Sequence, residues 1–186
     1  MESFGYLSVL LSIILGLAIA QVLLGFRGLI LTRAKVKLYL PTIIWAGMVL
    51  LIVIQAWWAS FDLRMRTNWT FLAFIVIVLQ TISVYMAAAV VLPDISAHSM
   101  VDLRDHYFAH RSWFFGFLLA GVVCSAAKEF VLNGHLPDRL NGAFHLVFIL
   151  ASIIAAITRR EWYHRLMAFV FVLVFLLYIA LLFRRL

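Results

Sequence analysis

The stretch FGYLSVLLSIILGLAIAQVLLGF, residues Phe4 to Phe26, determines the fold class because it is long, apolar and free of charged residues. A hydrocarbon core of ~30 Å needs about 20 mainly apolar residues per helix, since every backbone amide must be bonded within its own segment. Five further stretches meet this requirement. We therefore predict an all-α, polytopic bundle of six transmembrane helices with short loops, forming one domain over residues 1–186. The predicted spans are residues 4–26, 40–61, 69–92, 113–132, 140–158 and 165–183.

The composition supports the same class. Hydrophobic residues make up 66% of the chain and charged residues 12%, whereas soluble domains have roughly 45–50% and ~25%. The net charge of +7 comes from basic residues that stand singly or in short clusters between apolar runs. That distribution favours contact with lipid headgroups, and no nucleic-acid binding is predicted. Cys124 is the single cysteine, which excludes an intramolecular disulfide and a thiol oxidoreductase that needs a cysteine pair.

The basic residues also predict an orientation. Nine Lys and Arg residues fall on the side of the first, third and fifth loops, and six fall on the other side. The positive-inside rule then places those three loops in the cytoplasm and both termini outside, in a cell membrane of the bacterial inner-membrane type. The basic residues expected to contact lipid headgroups or a partner are Arg27, Arg33, Lys35, Lys37, Arg104 and Arg111.

A stripe of small residues runs along the first span. Ser8, Ser12, Gly16 and Ala20 recur at every fourth position. Small residues let another helix backbone approach closely, which is how transmembrane helices associate in lipid. We expect the stripe to pack against a helix, either of this chain or of another subunit. A homo-oligomer, or a subunit of a larger membrane complex, is predicted on this basis.

Several polar side chains lie inside the predicted spans, where they are costly and usually face the bundle interior or a wet cavity. Their depths predict a polar pocket open toward the outer side. Lys128 and Glu129 are neighbours, and adjacent helix positions point about 100° apart, so we expect only Glu129 to face a narrow pocket. The alternative is that these groups make interhelical hydrogen bonds only. The predicted pocket residues are Gln55, Gln80, Lys128, Glu129 and His145.

The most polar stretch, Val101 to Phe117, contains the sequence HYFAH, which places His106 and His110 one helical turn apart. Such a pair, with Asp102, has the side chains to hold Zn or Fe. HxxxH resembles one of the histidine boxes of membrane di-iron desaturases and hydroxylases, over five residues only. A third ligand would come from His164. The alternative is an interfacial segment that leads into the fourth span, or a surface that contacts a cytoplasmic partner.

Three functional hypotheses follow. The first is a small channel or transporter-like protein that moves a solute, ion or proton through the polar pocket. The second is a non-enzymatic accessory or sensor subunit that docks a partner through its basic loops, 27–37 and 96–111. The third is a metal-dependent membrane enzyme that uses His106 and His110. No organic cofactor is predicted, and a metal ion belongs to the third hypothesis alone.

Overall fold

The computed structural model describes residues 3–94 and 100–182, and this part of the chain forms six long helices. All six are long and apolar enough to cross a membrane, which fits a multi-pass membrane protein. Their bounds are Ser3–Leu31 (α1), Leu40–Ala59 (α2), Phe71–Val91 (α3), Leu103–Asn133 (α4), Arg139–Ile157 (α5) and Glu161–Leu182 (α6). Short 3-10 turns, Arg33–Lys35 and Ser60–Met65, follow α1 and α2.

Helix α4 begins at Leu103 rather than at Trp113. Most of the polar stretch that was expected to form an interfacial segment before the fourth span is therefore the first part of this helix. No Gly or Pro interrupts residues 103–113, and Asp102 caps the N-terminus. Its Oδ1 accepts hydrogen bonds from the backbone N–H groups of Arg104 and Asp105. A helix of 31 residues is about 46 Å long, which exceeds the ~30 Å hydrocarbon core. The helix is therefore longer than one membrane crossing requires.

Two short strands join the first and third connections. Val36–Lys37 (β1) pairs in parallel with Val101–Asp102 (β2), with Val36 opposite Val101. Lys37 Nζ lies 3.6 Å from Asp102 Oδ2 across this pair. The pairing holds the starts of α2 and α4 together at one end of the bundle, which we call the strand end. The opposite end, with the connections 60–70 and 134–138, we call the turn end.

The hydrophobic core is densest toward the strand end. Trp45 of α2 is 1% exposed, and its ring lies 4.7 to 5.4 Å from those of Phe114, Phe115 and Phe171. Aromatic rings tilted or edge-on at these separations contribute about 0.5–1.5 kcal/mol per pair beyond simple burial. The cluster joins α2, α4 and α6. At the turn end, a smaller cluster of Leu7, Leu11, Leu63 and Ile77 packs separately.

The face of α1 that packs on the bundle is built from Leu7, Leu11, Leu15, Ala18 and Val22, all of which are buried. The stripe of small residues lies on a different face: Ser12, Gly16 and Ala20 are exposed, and Ser8 is half-buried. A Cβ added to Gly16 would meet nothing within 4 Å. No described helix of this chain therefore packs on the stripe at Gly16, and its role in assembly with another subunit stays a prediction.

Gly25 marks the closest approach of α1 to the end of α3. A Cβ added there would lie 2.6 Å from Leu92 Cδ1 and 2.8 Å from Leu92 Cβ, so the two segments would have to separate. We expect Gly25→Ala to lower the stability of the detergent-purified protein by about 1–3 kcal/mol, as overpacking does. Gly47→Ala is the matched control, because a Cβ added there meets nothing within 4 Å, and it should not lower the stability. Thermal unfolding measures both, and equal melting temperatures for Gly25→Ala and wild type would contradict this close approach.

The cap of α4 supplies a second test. Burial acts to raise the pKa of Asp102, but hydrogen bonds from the N–H groups of Asp105 and Arg104 and the charge of Lys37 outweigh it, so this pKa lies below its usual value. The stabilisation is thus present above the ordinary Asp pKa of ~4 and is lost as the pH falls through the lower, folded-state value.

We expect Asp102→Ala to destabilise the protein by about 1 kcal/mol, because it removes the capping oxygen. Asp102→Asn keeps that oxygen and loses the charge, so it should be destabilised less than Asp102→Ala in the same unfolding measurement. If Asn were as damaging as Ala, the ion pair with Lys37 rather than the cap would dominate, contrary to this account.

Candidate functional site: a polar cavity between the helices

A cavity of about 230 Å³ lies inside the bundle toward the turn end. Four of the five predicted pocket residues line it: Gln55, Gln80, Lys128 and Glu129. The structure therefore brings together side chains that are far apart in the sequence. Its functional role is not tested by this proximity. The other polar or charged side chains in the lining include Ser60, Asp62, Arg66, Thr81, Ser125, Asn133, Asn141 and Tyr178.

The wall is contributed by all six helices, with a polar and an apolar side. Leu11 and Leu15 of α1 line the apolar side. Gln80 lies on α3 beside Thr81, one turn from Ile77 and Val84, and these residues also face the cavity. Positions separated by three, four and seven share a helix face, so this side of α3 meets the cavity as a continuous surface.

Glu129 is the centre of a polar network that crosses three elements. Its carboxylate accepts hydrogen bonds from Asn133 Nδ2 at 3.3 Å and from Asn141 Nδ2 at 3.5 Å. Arg66, in the connection after α2, donates to Asn133 Oδ1 and to the backbone oxygen of Leu132. The network thus ties the 60–70 connection to α4 and α5 at the mouth of the cavity.

Sequence reasoning missed Arg66, Asn133 and Asn141 as parts of this site. The spacing of four between Glu129 and Asn133 was a usable signal, since such residues are neighbours on a helix surface. Arg66 and Asn141 carried no comparable signal, because their proximity to Glu129 depends on how separate elements pack.

Lys128 and Glu129 both line the cavity, although only Glu129 was expected to do so. The expectation assumed a narrow pocket, whereas this cavity is wide enough for two side chains about 100° apart on α4 to form parts of one wall. With Asp62 and Arg66, the lining holds two acids and two bases. Its formal charge is therefore balanced, and both signs are available to a ligand.

His145, the fifth predicted residue, lines an adjoining compartment of about 80 Å³ that shares Gln55, Gln80 and Ser125 with the first. Its Nδ1 lies 2.8 Å from the backbone oxygen of Asn141, and its Nε2 lies 3.2 Å from Ser125 Oγ. A carbonyl oxygen only accepts, so Nδ1 donates to Asn141, whereas the serine hydroxyl can either donate to Nε2 or accept from it. Both ring nitrogens are thus engaged in hydrogen bonds.

The predicted metal residues lie at the strand end. His106 Nε2 donates to the backbone oxygen of Val90 at 3.0 Å, and His110 Nδ1 donates to that of His106 at 3.0 Å. The two rings stack with centroids 4.4 Å apart, and Asp102 is engaged in capping α4. Within residues 3–94 and 100–182, no group of three His, Cys, Asp or Glu residues could hold a metal ion. A metal at the His106–His110 pair stays a prediction.

His164 does not supply the third ligand that the sequence suggested. It is fully buried, with Nδ1 accepting from the hydroxyl of Tyr107 at 2.8 Å and Nε2 donating to the backbone oxygen of Thr158 at 3.1 Å. Because both nitrogens are used, His164 is a structural link between α4 and the connection that precedes α6.

The six predicted headgroup-contacting residues divide into two groups. Arg27, Arg33, Lys35 and Lys37 are exposed near the strand end, and Arg104 is exposed but paired with Glu161 at 3.0 Å. Arg111 is 9% exposed and donates to the backbone oxygens of Thr158 and Phe108. The spacing of apolar residues along α4 did not predict that Arg111 would be buried. The contact with lipid or a partner stays a prediction for all six.

No known protein family, curated protein or solved structure matches the chain significantly.

Access of water to the cavity can be measured with introduced cysteines. On a Cys124→Ser background, we expect Gln80→Cys to react with a membrane-impermeant thiol reagent added at the turn end, because Gln80 lines the cavity. Val49→Cys, at a fully buried position in the apolar core, is the control and should react many times more slowly. Equal rates at the two positions, or reaction of Gln80→Cys only from the strand end, would contradict the geometry.

Proposed function

We propose that this chain is a small multi-pass protein of the cell membrane that passes a small polar or charged solute through the cavity. One observation carries the proposal: Gln55, Gln80, Lys128 and Glu129, from three helices, line one space inside a bundle of apolar helices. In the orientation predicted from the basic residues, with both termini outside, the mouth of this cavity would face the outer side of the membrane.

The cost of placing charges within membrane helices supports a functional role. Transfer of Lys or Asp to the bilayer centre costs about 2.5–3.5 kcal/mol on insertion scales, and such residues usually mark pathways for ions or solutes. Lys128 and Glu129 lie in the last turns of α4, where that cost is smaller. Glu129, however, is held by two asparagine side chains rather than extended freely toward water.

The strand end closes the path in this conformation. Beyond Gln55 and Gln80, the second compartment is lined by Phe148, Phe171 and Phe175, and the ring of Phe171 packs on Trp45. A solute would have to displace this aromatic cluster to cross the bundle. The arrangement favours a gated or alternating pathway over a permanently open pore.

The residues then have distinct roles. Glu129 would bind cationic groups of the solute, and Lys128 would bind anionic groups. Gln55 and Gln80 offer both donors and acceptors deeper in the bundle, where they would replace part of the solute's hydration. His145 would position Ser125 in the second compartment through the contact of its Nε2 with the serine hydroxyl.

Substitution of Glu129 tests the proposal. With purified protein in liposomes, we expect Glu129→Gln to reduce the flux of a transported cation or zwitterion about tenfold or more, as loss of a charge-assisted hydrogen bond does. Asp105→Asn is the matched control, because Asp105 is exposed at the strand end and outside the cavity. It should leave the flux unchanged.

Two results would contradict the proposal. The first is unaltered flux in Glu129→Gln, which would remove this residue from the pathway. The second is that no flux is detected for a panel of inorganic ions, amino acids and neutral polar solutes, although thermal unfolding shows that the protein is folded.

An accessory or sensor subunit is the second candidate. The observation that favours it is the exposed stripe of Ser12, Gly16 and Ala20, which is left for a helix outside this chain. Of the loops expected to dock a partner, residues 96–99 lie outside the described part. Affinity purification from native membranes separates the two candidates. An accessory subunit should copurify with a stoichiometric partner, and it should show no flux when it is purified without that partner.

A further inference from the structure

A second concave site lies at the strand end, between the start of α4 and the connection from α5 to α6. This groove, which we call the arginine groove, is lined by Arg104, Arg111 and Arg159 together with Phe108 and Ala109. Its lining contains three guanidinium groups and no carboxylate. It is separate from the polar cavity, which opens at the turn end.

The charges in the arginine groove are only partly balanced. Arg104 is paired with Glu161 through its Nε and Nη2 at 3.1 and 3.0 Å, and its guanidinium lies 5.4 Å from the ring centre of Phe108. The ion pairs found in the described residues do not include Arg111 or Arg159. Two guanidinium groups in one groove repel each other, and an anion placed between them would remove that repulsion.

Arg111 is built into the protein rather than extended into solvent. Its Nε donates to the backbone oxygen of Thr158 at 3.1 Å and its Nη1 to that of Phe108 at 2.8 Å. These bonds hold a mostly buried guanidinium in one orientation and leave its Nη2 without a hydrogen-bond partner among the described residues. A preoriented guanidinium loses less side-chain entropy on binding, which favours recognition of phosphate oxygens.

The surroundings match the height of a phospholipid headgroup. Two residues deeper along each element, Trp113 of α4 and Ile157 of α5 are 68% and 74% exposed. Trp162, near the start of α6, is also exposed. Exposed tryptophans concentrate at the membrane–water interface, and exposed isoleucine suits the acyl-chain region beneath it. The arginines thus lie where a lipid phosphate would be.

We propose that the arginine groove binds the phosphate of an anionic phospholipid, whose acyl chains lie against the apolar residues beneath it. The phosphate bridges α4, through Arg104 and Arg111, to the α5–α6 connection, through Arg159. Free phosphate offers the same oxygens but lacks the chains, so the lipid is held more tightly. Bound lipid then stabilises the packing of α4 against this connection.

The test measures lipid binding to the full chain in detergent by native mass spectrometry, with phosphatidylglycerol and phosphatidylcholine as probes. We expect phosphatidylglycerol to bind more tightly and to raise the melting temperature. Arg159→Gln should weaken its binding about fivefold, the effect of one basic residue near an anionic surface. Arg160→Gln is the matched control, since Arg160 is the exposed neighbour that does not line the groove. It should change the affinity little.

Both variants should melt at the wild-type temperature without lipid, so that a loss of binding is not a loss of folding. The proposal is overturned if Arg160→Gln weakens binding as much as Arg159→Gln, or if the two lipids bind equally. It is also overturned if inorganic phosphate binds as tightly as phosphatidylglycerol, because the site would then be one for free phosphate. None of these results depends on solute flux through the cavity.

Discussion

The hydrocarbon interior of a bilayer offers no hydrogen bonds, and the rest of this structure depends on that constraint. Each apolar segment must satisfy its own backbone, so the chain forms six long helices. Polar side chains on those helices must in turn find partners inside the bundle. Gln55, Gln80 and Glu129 meet at one cavity for this reason, although they belong to three different helices.

The two ends of the bundle meet the constraint in different ways. Toward the strand end, Trp45 packs among phenylalanines, and the buried His164 bonds to a side chain and to a backbone oxygen. Tyr107, His164 and the backbone of Thr158 form such a set. Toward the turn end, amides and charges surround open space instead. The bundle thus has an aromatic end and an open polar end.

Four of the five predicted pocket residues line one cavity because the sequence predicts the depth of each residue along its helix. Counting residues from each span end placed Gln55, Lys128, Glu129 and His145 in the same half of the membrane, and groups at one depth can meet if their faces agree. The sequence did not predict which face of each element points toward the cavity, so Arg66 and Asn141 were missed. In α4, the aromatic Trp113 is typical of a span boundary. The helix nevertheless begins well before it, at Leu103, where Asp102 caps the N-terminus.

The sequence by itself determined the number of helices, their approximate bounds and the chemical types of residue available for a site. Hydrophobicity and helix length are local properties, so they can be summed along the chain. Only the tertiary structure decided that the stripe on α1 faces outward, that Arg111 and His164 are buried, and that Lys128 shares a wall with Glu129. These features depend on the rotation of each helix about its axis, which is set by packing against neighbouring helices that lie far away in the sequence.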